Sequence, residues 1–486
     1  MAYDRLSTLD RSFLIYESSA GPMHVGGTAT FDAGALRDAD GGLDIGRIRA
    51  FIDTQLARIP RYRQVVSRTP LRAPIWIDDA HFNLEYHVRH TSLPRPGDDQ
   101  QLKALTARIF SQGLDRTKPL WELWFVEGVA RGERFALISK IHHAMVDGIS
   151  AVDLLEVLLS QDPKMDFVPA TPWVPRPPPT ARELARDDFA RLVRAPLDLA
   201  AQAPALLGEA RQAGSDLRAA VRGIADLTLK TLRRPSETPL NKPIGPHRRV
   251  EWLSMDLNEV KAVHRALGGS VNDVVLTIVT GAVRRFLQHR NLSPDTVQFR
   301  VMTPVSVRAK HEKGALGNRV SAWMVSLPIA EADPRRCLAT LKETTMRLKR
   351  DKNALGAELL TRMTSWTPAT LLSLSSRLVW RNLPFNLVVT NVPGPQRPLY
   401  LLGARMLDNF GMIPLTDYLG LAVTLVSYAG KLCWGFTADW DLVPDVDVFA
   451  RSIQDAFDEL RDIARQAAEH AGHSSEQRNQ EAPRPS

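Results

Sequence analysis

The sequence predicts an α/β protein with two lobes, and three observations support this fold class. The chain has 486 residues, which suits two domains of ordinary size, each with its own core. Apolar residues make up 44% of it and charged residues 24%, which is typical of globular proteins. Short apolar runs rich in β-branched residues alternate with segments in which apolar residues recur at helical spacing. Strands and helices are therefore expected in both halves of the chain.

Composition also predicts where the lobes begin and end. Residues 171–179 are dense in proline and must run extended, and residues 181–231 are rich in Ala, Leu and Arg with helical periodicity. We interpret the two stretches as one crossover between lobes. The predicted divisions are an N-terminal lobe at 1–165, a linker at 166–245, a C-terminal lobe at 246–470, and a disordered tail at 471–486 that is too polar to fold.

The elements of the N-terminal lobe follow from local patterns. An amphipathic helix begins after Asp44, with Ile48, Phe51 and Leu56 on one face, and it ends at Pro60. The same criteria predict a capped short helix at 6–13, strands at 28–31, 61–66 and 75–78, and a helix at 101–112.

His142 and His143 lie at a predicted corner between a strand and a helix. Residues 134–141 have the composition of a buried strand, and residues 149–159 have helical periodicity. Neighbouring side chains of an extended segment point to opposite faces. One imidazole should therefore face a cleft, where it can act as a base, and the other should face packed interior.

Asp147 and Gly148 complete an HHxxxDG spacing. Asp147, at the mouth of the helix, is placed to hold the turn in shape, and Gly148 lets the backbone bend without a Cβ clash. Two other interpretations stay open: ordinary surface or core histidines, and a zinc site, since His and Asp are good zinc ligands. No further Cys/His cluster stands nearby, and adjacent strand histidines cannot easily face one ion. We therefore predict neither a metal nor a cofactor.

The C-terminal lobe begins with a similar alternation. Ser270 and Asp273 form a capping-box pattern, with Asp in place of the usual Glu or Gln, and the helix that they begin continues to about Leu287. The other predicted elements are a strand at 250–255, a helix at 257–267, a strand at 299–308, a strand and turn at 387–395, strands at 421–428 and 432–437, and a helix at 446–469.

Net charge indicates which classes of partner the protein binds, and cysteine content indicates its cellular compartment. The two cysteines, Cys337 and Cys433, allow at most one bridge, so a reducing cytoplasm is the expected location. The N-terminus lacks the pattern of a secretory signal, and no apolar run reaches about 18 residues. The net charge of +8 favours a phosphorylated ligand or an anionic bilayer surface. Nucleic acid is not expected, because the basic residues are spread out and no reading motif is visible.

Several stretches resemble a known family. The HHAMVDG segment at 142–148 resembles the active-site signature of a superfamily that includes chloramphenicol acetyltransferase, the peptide-synthetase condensation domains and the bacterial wax ester synthase/diacylglycerol acyltransferases. The segments that resemble the last of these are LSTLD at 6–10, PMHVG at 22–26, LDRTKPLWE at 114–122, LNKPIGPHRR at 240–249 and TNVPGP at 390–395. They occur in the expected order, so the chain is identified as a member of that family.

The resemblance implies a fold and a set of roles. The fold is two chloramphenicol-acetyltransferase-like lobes, each a mixed β-sheet flanked by helices, with the active-site tunnel between them. His143 is the general base, His142 supports it, and Asp147 with Gly148 forms the structural part of the motif. The alternative for His24 in PMHVG is a second functional histidine, but a hydrogen-bonded strand histidine is the preferred interpretation.

The C-terminal half supplies further site residues under the same resemblance. Asn272 is a candidate contact to the substrate carbonyl or oxyanion, and Asp273 is mainly a cap. Arg308 is the expected bridge to Asp147 across the lobes, the alternative being a solvent-exposed arginine at a strand end.

The implied reaction joins a fatty acyl-CoA to diacylglycerol, giving triacylglycerol, with fatty alcohols as a second class of acceptor that would give wax esters. One imidazole can take the proton of the alcohol and return it to the leaving thiolate. Because no Gly-x-Ser-x-Gly elbow or nearby cysteine is present, direct transfer is expected. Peripheral attachment to a membrane or lipid droplet is expected, and part of the crossover could lie on that surface. The alternatives are a condensation-type acyltransferase of natural-product assembly and a non-catalytic lipid-binding protein.

Overall fold

The computed structural model describes residues 3–145, 154–164, 167–168, 172–190, 193, 235–306, 320–350 and 384–481. Within these ranges the chain forms two six-stranded mixed sheets and one three-stranded sheet, with helices packed against them. The predicted α/β class, with two lobes of sheet and helix, is confirmed.

The first half of the chain supplies most of the first sheet. The strands of this half of the chain are β1 (Asp4–Arg5), β2 (His24–Asp32), β3 (Gln64–Arg68), β4 (Pro74–Asp78), β5 (Val88–Ser92), β6 (Trp121–Val129) and β7 (Arg134–His142). Strands β1, β3 and β4 form the three-stranded sheet. Its helices are α1 (Thr8–Tyr16), α2 (Ile45–Leu56), α3 (Leu84–His87), α4 (Asp99–Ser111), α5 (Leu154–Leu158) and α6 (181–190).

The second half supplies the second sheet and the helices that cover it. The strands of this half of the chain are β8 (Arg248–Asp256), β9 (Phe299–Ser306), β10 (Val320–Leu327), β11 (Leu387–Pro393), β12 (Tyr400–Leu401), β13 (Ala404–Met412), β14 (Leu421–Tyr428) and β15 (Lys431–Asp439). Its helices are α7 (Leu257–Leu267), α8 (Val271–His289), α9 (Pro334–Arg350) and α10 (Val446–Glu481).

Strand β7 lies in the middle of the first sheet. That sheet has the order β12-β13-β2-β7-β6-β5, and the second has the order β10-β9-β11-β14-β15-β8. Strand β7 is antiparallel to both of its neighbours, β2 and β6. In the second sheet β11 is parallel to β9 and β14. Because β7 is hydrogen-bonded on both sides, its last residue, His142, is held in a fixed position.

Strand β13 belongs to the sheet of the other lobe. It follows β11 in sequence, yet it pairs antiparallel with β2, with Asn409 opposite Ala29 and Met412 opposite Gly26. The division by composition placed residues 400–412 in the C-terminal lobe, whereas pairing places them in the first sheet. Local pattern cannot reveal this, because it reports that a segment is a strand and not which sheet it joins. Strands β12 and β13 of the second half therefore complete the sheet of the first lobe.

The two sheets also touch where β13 crosses β14 and β15. A Cβ at Gly435 would lie 2.1 Å from the carbonyl oxygen of Gly411, and a Cβ at Gly411 would lie 2.6 Å from Thr424 Cγ2. Side chains at these two positions would separate the sheets, so glycine is needed for the close approach.

A polar contact between α4 and β8 closes the lobes against each other on another side. Lys103 Nζ lies 2.7 Å from Asp99 Oδ2 and also pairs with Glu251 on β8. The indole N–H of Trp252 donates to Asp99 Oδ1 at 2.9 Å. Lys103 and Glu251 are buried whereas Asp99 is exposed, so the buried Lys103–Glu251 pair is the one that holds a fixed geometry between the lobes.

Two expected elements differ from the structure. Residues 60–63 form a 3₁₀ turn and the strand begins only at Gln64, because Pro60 favours the start of a helical turn. Helix α10 continues to Glu481, so residues 471–481 are not the disordered tail that composition predicted. A polar segment without proline can extend a helix, and the next proline is Pro483. The rest of the tail and most of the predicted crossover lie outside the described residues.

Helix α8 runs through the core of the second lobe. Its buried residues include Val275, Ile278, Val279 and Ala282, and they pack with buried side chains of α10 and of the second sheet. In the described parts of the chain no single helix is long and apolar enough to cross a bilayer. The pair α7 and α8 meets those criteria only together, and it is bent by 98°.

Candidate active site

The two histidines lie where β7 ends. His142 is the last residue of the strand, and residues His143–Met145 form a 3₁₀ turn. The strand of the predicted strand-to-helix corner is therefore present, and a 3₁₀ turn follows it. Asp147 and Gly148 lie outside the described residues, and the description resumes at Leu154 in α5.

His142 is the interior histidine. Its side chain is fully buried, and its Nδ1 accepts the backbone N–H of Ala144 at 3.0 Å. In the neutral ring the proton therefore sits on Nε2. That nitrogen lies 3.6 Å from Glu17 Oε1, a distance that allows electrostatic attraction but is too long for a hydrogen bond. His142 is thus oriented by its surroundings and shielded from solvent.

His143 is the partly exposed histidine of the pair. Its backbone N–H donates to the carbonyl of Met23 at 2.8 Å. Its ring stacks on Phe13, with 3.9 Å between ring centroids and 21° between the ring planes. The backbone and one ring face are fixed while the side chain stays partly accessible. Of the two imidazoles, His143 is the more exposed one.

Glu17 connects α1 to both histidines, and sequence reasoning missed it. Its Oε1 accepts the backbone N–H of Met23 at 3.2 Å, and its Oε2 accepts from Arg116 Nε at 2.8 Å. Met23 in turn accepts the N–H of His143. Burial alone would raise the pKa of Glu17, but the nearby His142 and Arg116 outweigh it and hold that pKa at about 2. Glu17 is therefore a permanent anion beside the pair.

A signal for Glu17 was present in the sequence. It is an isolated carboxylate between the LSTLD and PMHVG segments, and its partner Arg116 lies within LDRTKPLWE. The Glu17–Arg116 ion pair thus links the segment between the first two stretches to the third. Spacing alone could not show it, because 99 residues separate Glu17 from Arg116.

His24 is a buried, hydrogen-bonded strand histidine, as preferred from the sequence. It lies directly opposite His142 in the β2–β7 pairing, and its Nε2–H donates to the carbonyl of Phe110 at 2.9 Å. Burial, with a smaller contribution from the charge of Lys140, lowers the pKa of His24 to about 3. The ring therefore stays neutral and ties β2 to the end of α4.

Lys140 fixes the same end of α4 from β7. Its side chain is 1% exposed, and its Nζ donates to the carbonyls of Ile109 and Gln112 at 3.2 and 3.0 Å. Glu122 Oε2 lies 3.3 Å away and balances the charge. A cation on the last carbonyls of a helix stabilises its C-terminus. Lys140 thus has a structural role beneath the histidine corner.

Asp273 caps α8, as the sequence predicted. Its Oδ2 accepts from the N–H and hydroxyl of Ser270, each at 2.7 Å, and its Oδ1 accepts from Thr345 Oγ1 on α9 at 2.7 Å. The carboxylate is fully used in these contacts. Asn272, one residue earlier, is partly buried, and its contact to a substrate carbonyl stays a prediction.

Replacing Asp273 by alanine is expected to destabilise the fold by roughly 1–3 kcal/mol, since it removes a cap and leaves Thr345 without its acceptor. Urea unfolding measures the change. Thr345→Val is the matched variant, because it removes one of the bonds and should cost about 1 kcal/mol. Equal stability of wild type and Asp273→Ala would contradict the capping role.

The remaining candidate groups are Arg308 and the two cysteines. Arg308 and its expected bridge to Asp147 lie outside the described residues, so the bridge stays a prediction. Cys337 and Cys433 are buried and unpaired with each other, and burial raises the pKa of their thiols to about 12 and about 11. Neither is a nucleophile near neutral pH. The described residues contain no cluster of three or more His, Cys, Asp or Glu that could hold a metal.

Similar sequences cover nearly the whole chain. The wax ester synthase/diacylglycerol acyltransferase catalytic domain matches residues 6–275, and the C-terminal domain of the same family matches residues 316–461. Two Mycobacterium tuberculosis proteins, each named "probable diacylglycerol O-acyltransferase", are 32% and 31% identical to the chain. The alignments cover 95% and 94% of this chain, and 96% and 98% of the relatives.

Solved structures give the same family and fold. The wax ester synthase/diacylglycerol acyltransferase of Marinobacter aquaeolei VT8 superposes with a TM-score of 0.69 and 25% identity, covering 95% of this chain and 99% of that one. The first condensation domain of the calcium-dependent antibiotic synthetase has a TM-score of 0.55 at 14% identity over 95% of this chain and 96% of its own, a likeness of fold alone. The chain is a member of the wax ester synthase/diacylglycerol acyltransferase family.

Proposed function

We propose that the protein transfers a fatty acyl group from acyl-CoA to the hydroxyl of diacylglycerol, with His143 as the general base. The observation that carries this proposal is the different surroundings of the two imidazoles. His142 is buried beside Glu17. The backbone of His143 is fixed by Met23 and one face of its ring by Phe13, and its side chain stays partly exposed. The mycobacterial relatives are named for the same acceptor.

The proposed reaction needs one proton carrier and no covalent intermediate on the protein. The acceptor oxygen attacks the thioester carbonyl and His143 takes the hydroxyl proton. As the carbon–sulfur bond breaks, His143 returns that proton to the CoA thiolate. The C–O bond formed and the C–S bond broken balance, so the products are triacylglycerol and CoA. The buried thiols of Cys337 and Cys433 take no part.

The surrounding residues would keep the base in one orientation. The Phe13 ring prevents His143 from turning toward the protein, and Met23 fixes its backbone. The anion of Glu17 attracts the buried His142. Asn272 is proposed to contact the substrate carbonyl or oxyanion, and Asp147 with Arg308 to brace the motif across the lobes. Fixed geometry of this kind accounts for much of the effect of a general base.

Fatty alcohols are the second proposed acceptor, because the name of the Marinobacter relative includes wax ester synthase. A cytoplasmic location with peripheral attachment to a membrane or lipid droplet would bring the enzyme to either acceptor. The chain carries a net charge of +8, which supports attraction to CoA phosphates and anionic lipid surfaces.

The test offers the purified full-length protein long-chain acyl-CoA with diacylglycerol and fatty alcohol in competition. CoA release is followed with a thiol reagent, and the lipid products are separated by chromatography. Triacylglycerol as the main product supports the proposal, and wax ester as the main product reverses the order of acceptors. A parallel reaction replaces both lipids by an amine acceptor, and CoA release in that reaction alone would favour the condensation-type alternative. Lipid binding without acceptor-dependent CoA release would leave only the lipid-binding alternative.

A further inference from the structure

A group of large apolar side chains faces solvent on one side of the N-terminal lobe. Leu71, at the turn between β3 and β4, is 65% exposed, and Phe189 on α6 is 67% exposed. Val193, which is also helical, is 52% exposed. Exposure of this degree is uncommon for such side chains when several lie together. We call these three residues the apolar face.

Leu71 and Phe189 are brought together by a direct contact between their segments. The backbone N–H of Leu71 donates to Asp188 Oδ2 at 3.3 Å, so the turn lies against the residue that precedes Phe189. Helix α6 is itself fixed, because Arg5 lies 2.6 Å from Asp188 Oδ1 and 2.7 Å from Asp187 Oδ2. The apolar face is therefore held on ordered structure.

The helix has two distinct sides. Leu184 and Asp188 are buried, and Leu184 packs with Tyr3 and Ile75. Positions three and four residues apart share a helical face. The outward positions of α6 that follow this spacing are Arg182, Arg186 and Phe189, and the exposed Val193 stands four positions after Phe189 in the sequence. The outer side is therefore cationic at its start and apolar at its end.

Four arginines accompany the apolar face. Arg68 and Arg72 flank Leu71 in the β3–β4 hairpin, and Arg182 and Arg186 precede Phe189; all four are exposed. None of them forms an ion pair with another described residue. The exposed acidic residue on this part of α6 is Glu183, which accepts from the backbone and hydroxyl of Thr180. The local charge is therefore positive around an apolar centre.

We propose that the apolar face and its four arginines rest on an anionic phospholipid surface. Leu71, Phe189 and Val193 would enter the boundary between headgroups and acyl chains, and the guanidinium groups would bind lipid phosphates. The identification of the partner rests on the proposed function, which requires lipid acceptors. A protein partner is disfavoured, because arginines without an ion pair to another described residue, set around shallow apolar residues, match a continuous anionic plane better than a discrete pocket.

The experiment measures flotation of the full-length protein with vesicles. One set of vesicles contains phosphatidylcholine only, and the other contains phosphatidylcholine with phosphatidylglycerol. The Leu71→Ser/Phe189→Ser variant is expected to reduce the partition coefficient about tenfold or more. The Arg72→Gln/Arg186→Gln variant is expected to reduce it about fivefold or more on anionic vesicles, with the difference disappearing at high salt.

Matched variants on the second lobe serve as controls. Met324→Ser/Met346→Ser removes two apolar side chains that are each 40% exposed, and Arg265→Gln/Arg335→Gln removes the same charge from exposed positions. Both should bind vesicles as the wild type does. Thermal unfolding is measured for every variant, and the arginine pair keeps the test decisive if the serine pair unfolds.

The outcomes separate this inference from the proposed function. Vesicle binding of the face variants at the wild-type level would overturn the inference, and so would an equal loss of binding in the control variants. Wild-type protein that binds neither kind of vesicle would also overturn it. If the wild type binds anionic vesicles through this face but transfers no acyl group, the proposed function fails and the surface assignment stands. Acyl transfer to a water-dispersed short-chain diacylglycerol should be the same in all of the folded variants.

Discussion

Replacing His143 by alanine is expected to lower kcat by roughly 10²–10⁴-fold, the usual contribution of a general base. The variant should remain folded, because the ring is partly exposed and its backbone N–H still donates to Met23. Single-turnover acyl transfer from acyl-CoA to diacylglycerol measures the loss. KM for acyl-CoA should change little, since the ring acts on the acceptor proton and not on the CoA group.

His81→Ala is the matched control for the loss of an imidazole. His81 is exposed, and its backbone N–H donates to Asp79 Oδ1 at 2.9 Å. Its removal should leave kcat unchanged. A folded His143→Ala protein with near-normal kcat would rule out the role of His143 as the base.

Replacing Glu17 by glutamine is expected to affect both activity and stability. The change removes the anion that pairs with Arg116 and attracts His142, and it weakens the acceptor for Met23. A small displacement of the Met23 segment would move His143, so kcat should fall by roughly 10- to 100-fold. KM should change much less, because Glu17 is placed to position the base and not to bind substrate.

The pH dependence of stability gives Glu17 a second signature. Its folded pKa, about 2, is below the ordinary value of 4.5, so the unfolded chain binds more protons between these pH values. The stabilising contribution is fully present above pH 4.5 and is lost as the pH falls toward 2. Its size is about 3 kcal/mol by linkage.

Urea unfolding at a series of pH values tests this contribution. Glu17→Gln should be less stable than the wild type near neutral pH, and the difference should shrink as the pH falls below 4.5. Glu133→Gln is the control, since that carboxylate is exposed and forms no ion pair with another described residue. A constant difference at every pH would show that the charge of Glu17 is not what stabilises the fold.

The sequence predicted those features that depend on neighbours along the chain. The helix after Asp44, the cap at Asp273 and the burial of one histidine of the pair all follow from spacing within a few residues. The strand β7 was also predicted, because its apolar and β-branched residues have the composition of a buried strand. Local periodicity is sufficient for such elements.

Features that depend on distant contacts could not be derived in this way. The contact of Glu17 with Arg116 and the pairing of β13 with β2 each join segments that local pattern treats separately. The resemblance to a family singled out the two histidines but gave no role to Glu17. Three-dimensional contacts were needed to show that α1 supplies Phe13 and Glu17 to the same corner.

The pairing of β13 with β2 in the first sheet has a consequence for biosynthesis. Ala29 on β2 pairs with Asn409 on β13, which lies 380 residues later in the chain. The ribosome must therefore synthesise about 380 further residues before β13 can cover the edge of β2. At translation rates of about 5–20 residues per second, the wait is roughly 20–80 s. During that time the nascent chain on the ribosome presents an open strand edge, which can pair with other chains. Chaperone protection of β2 would therefore matter most before termination.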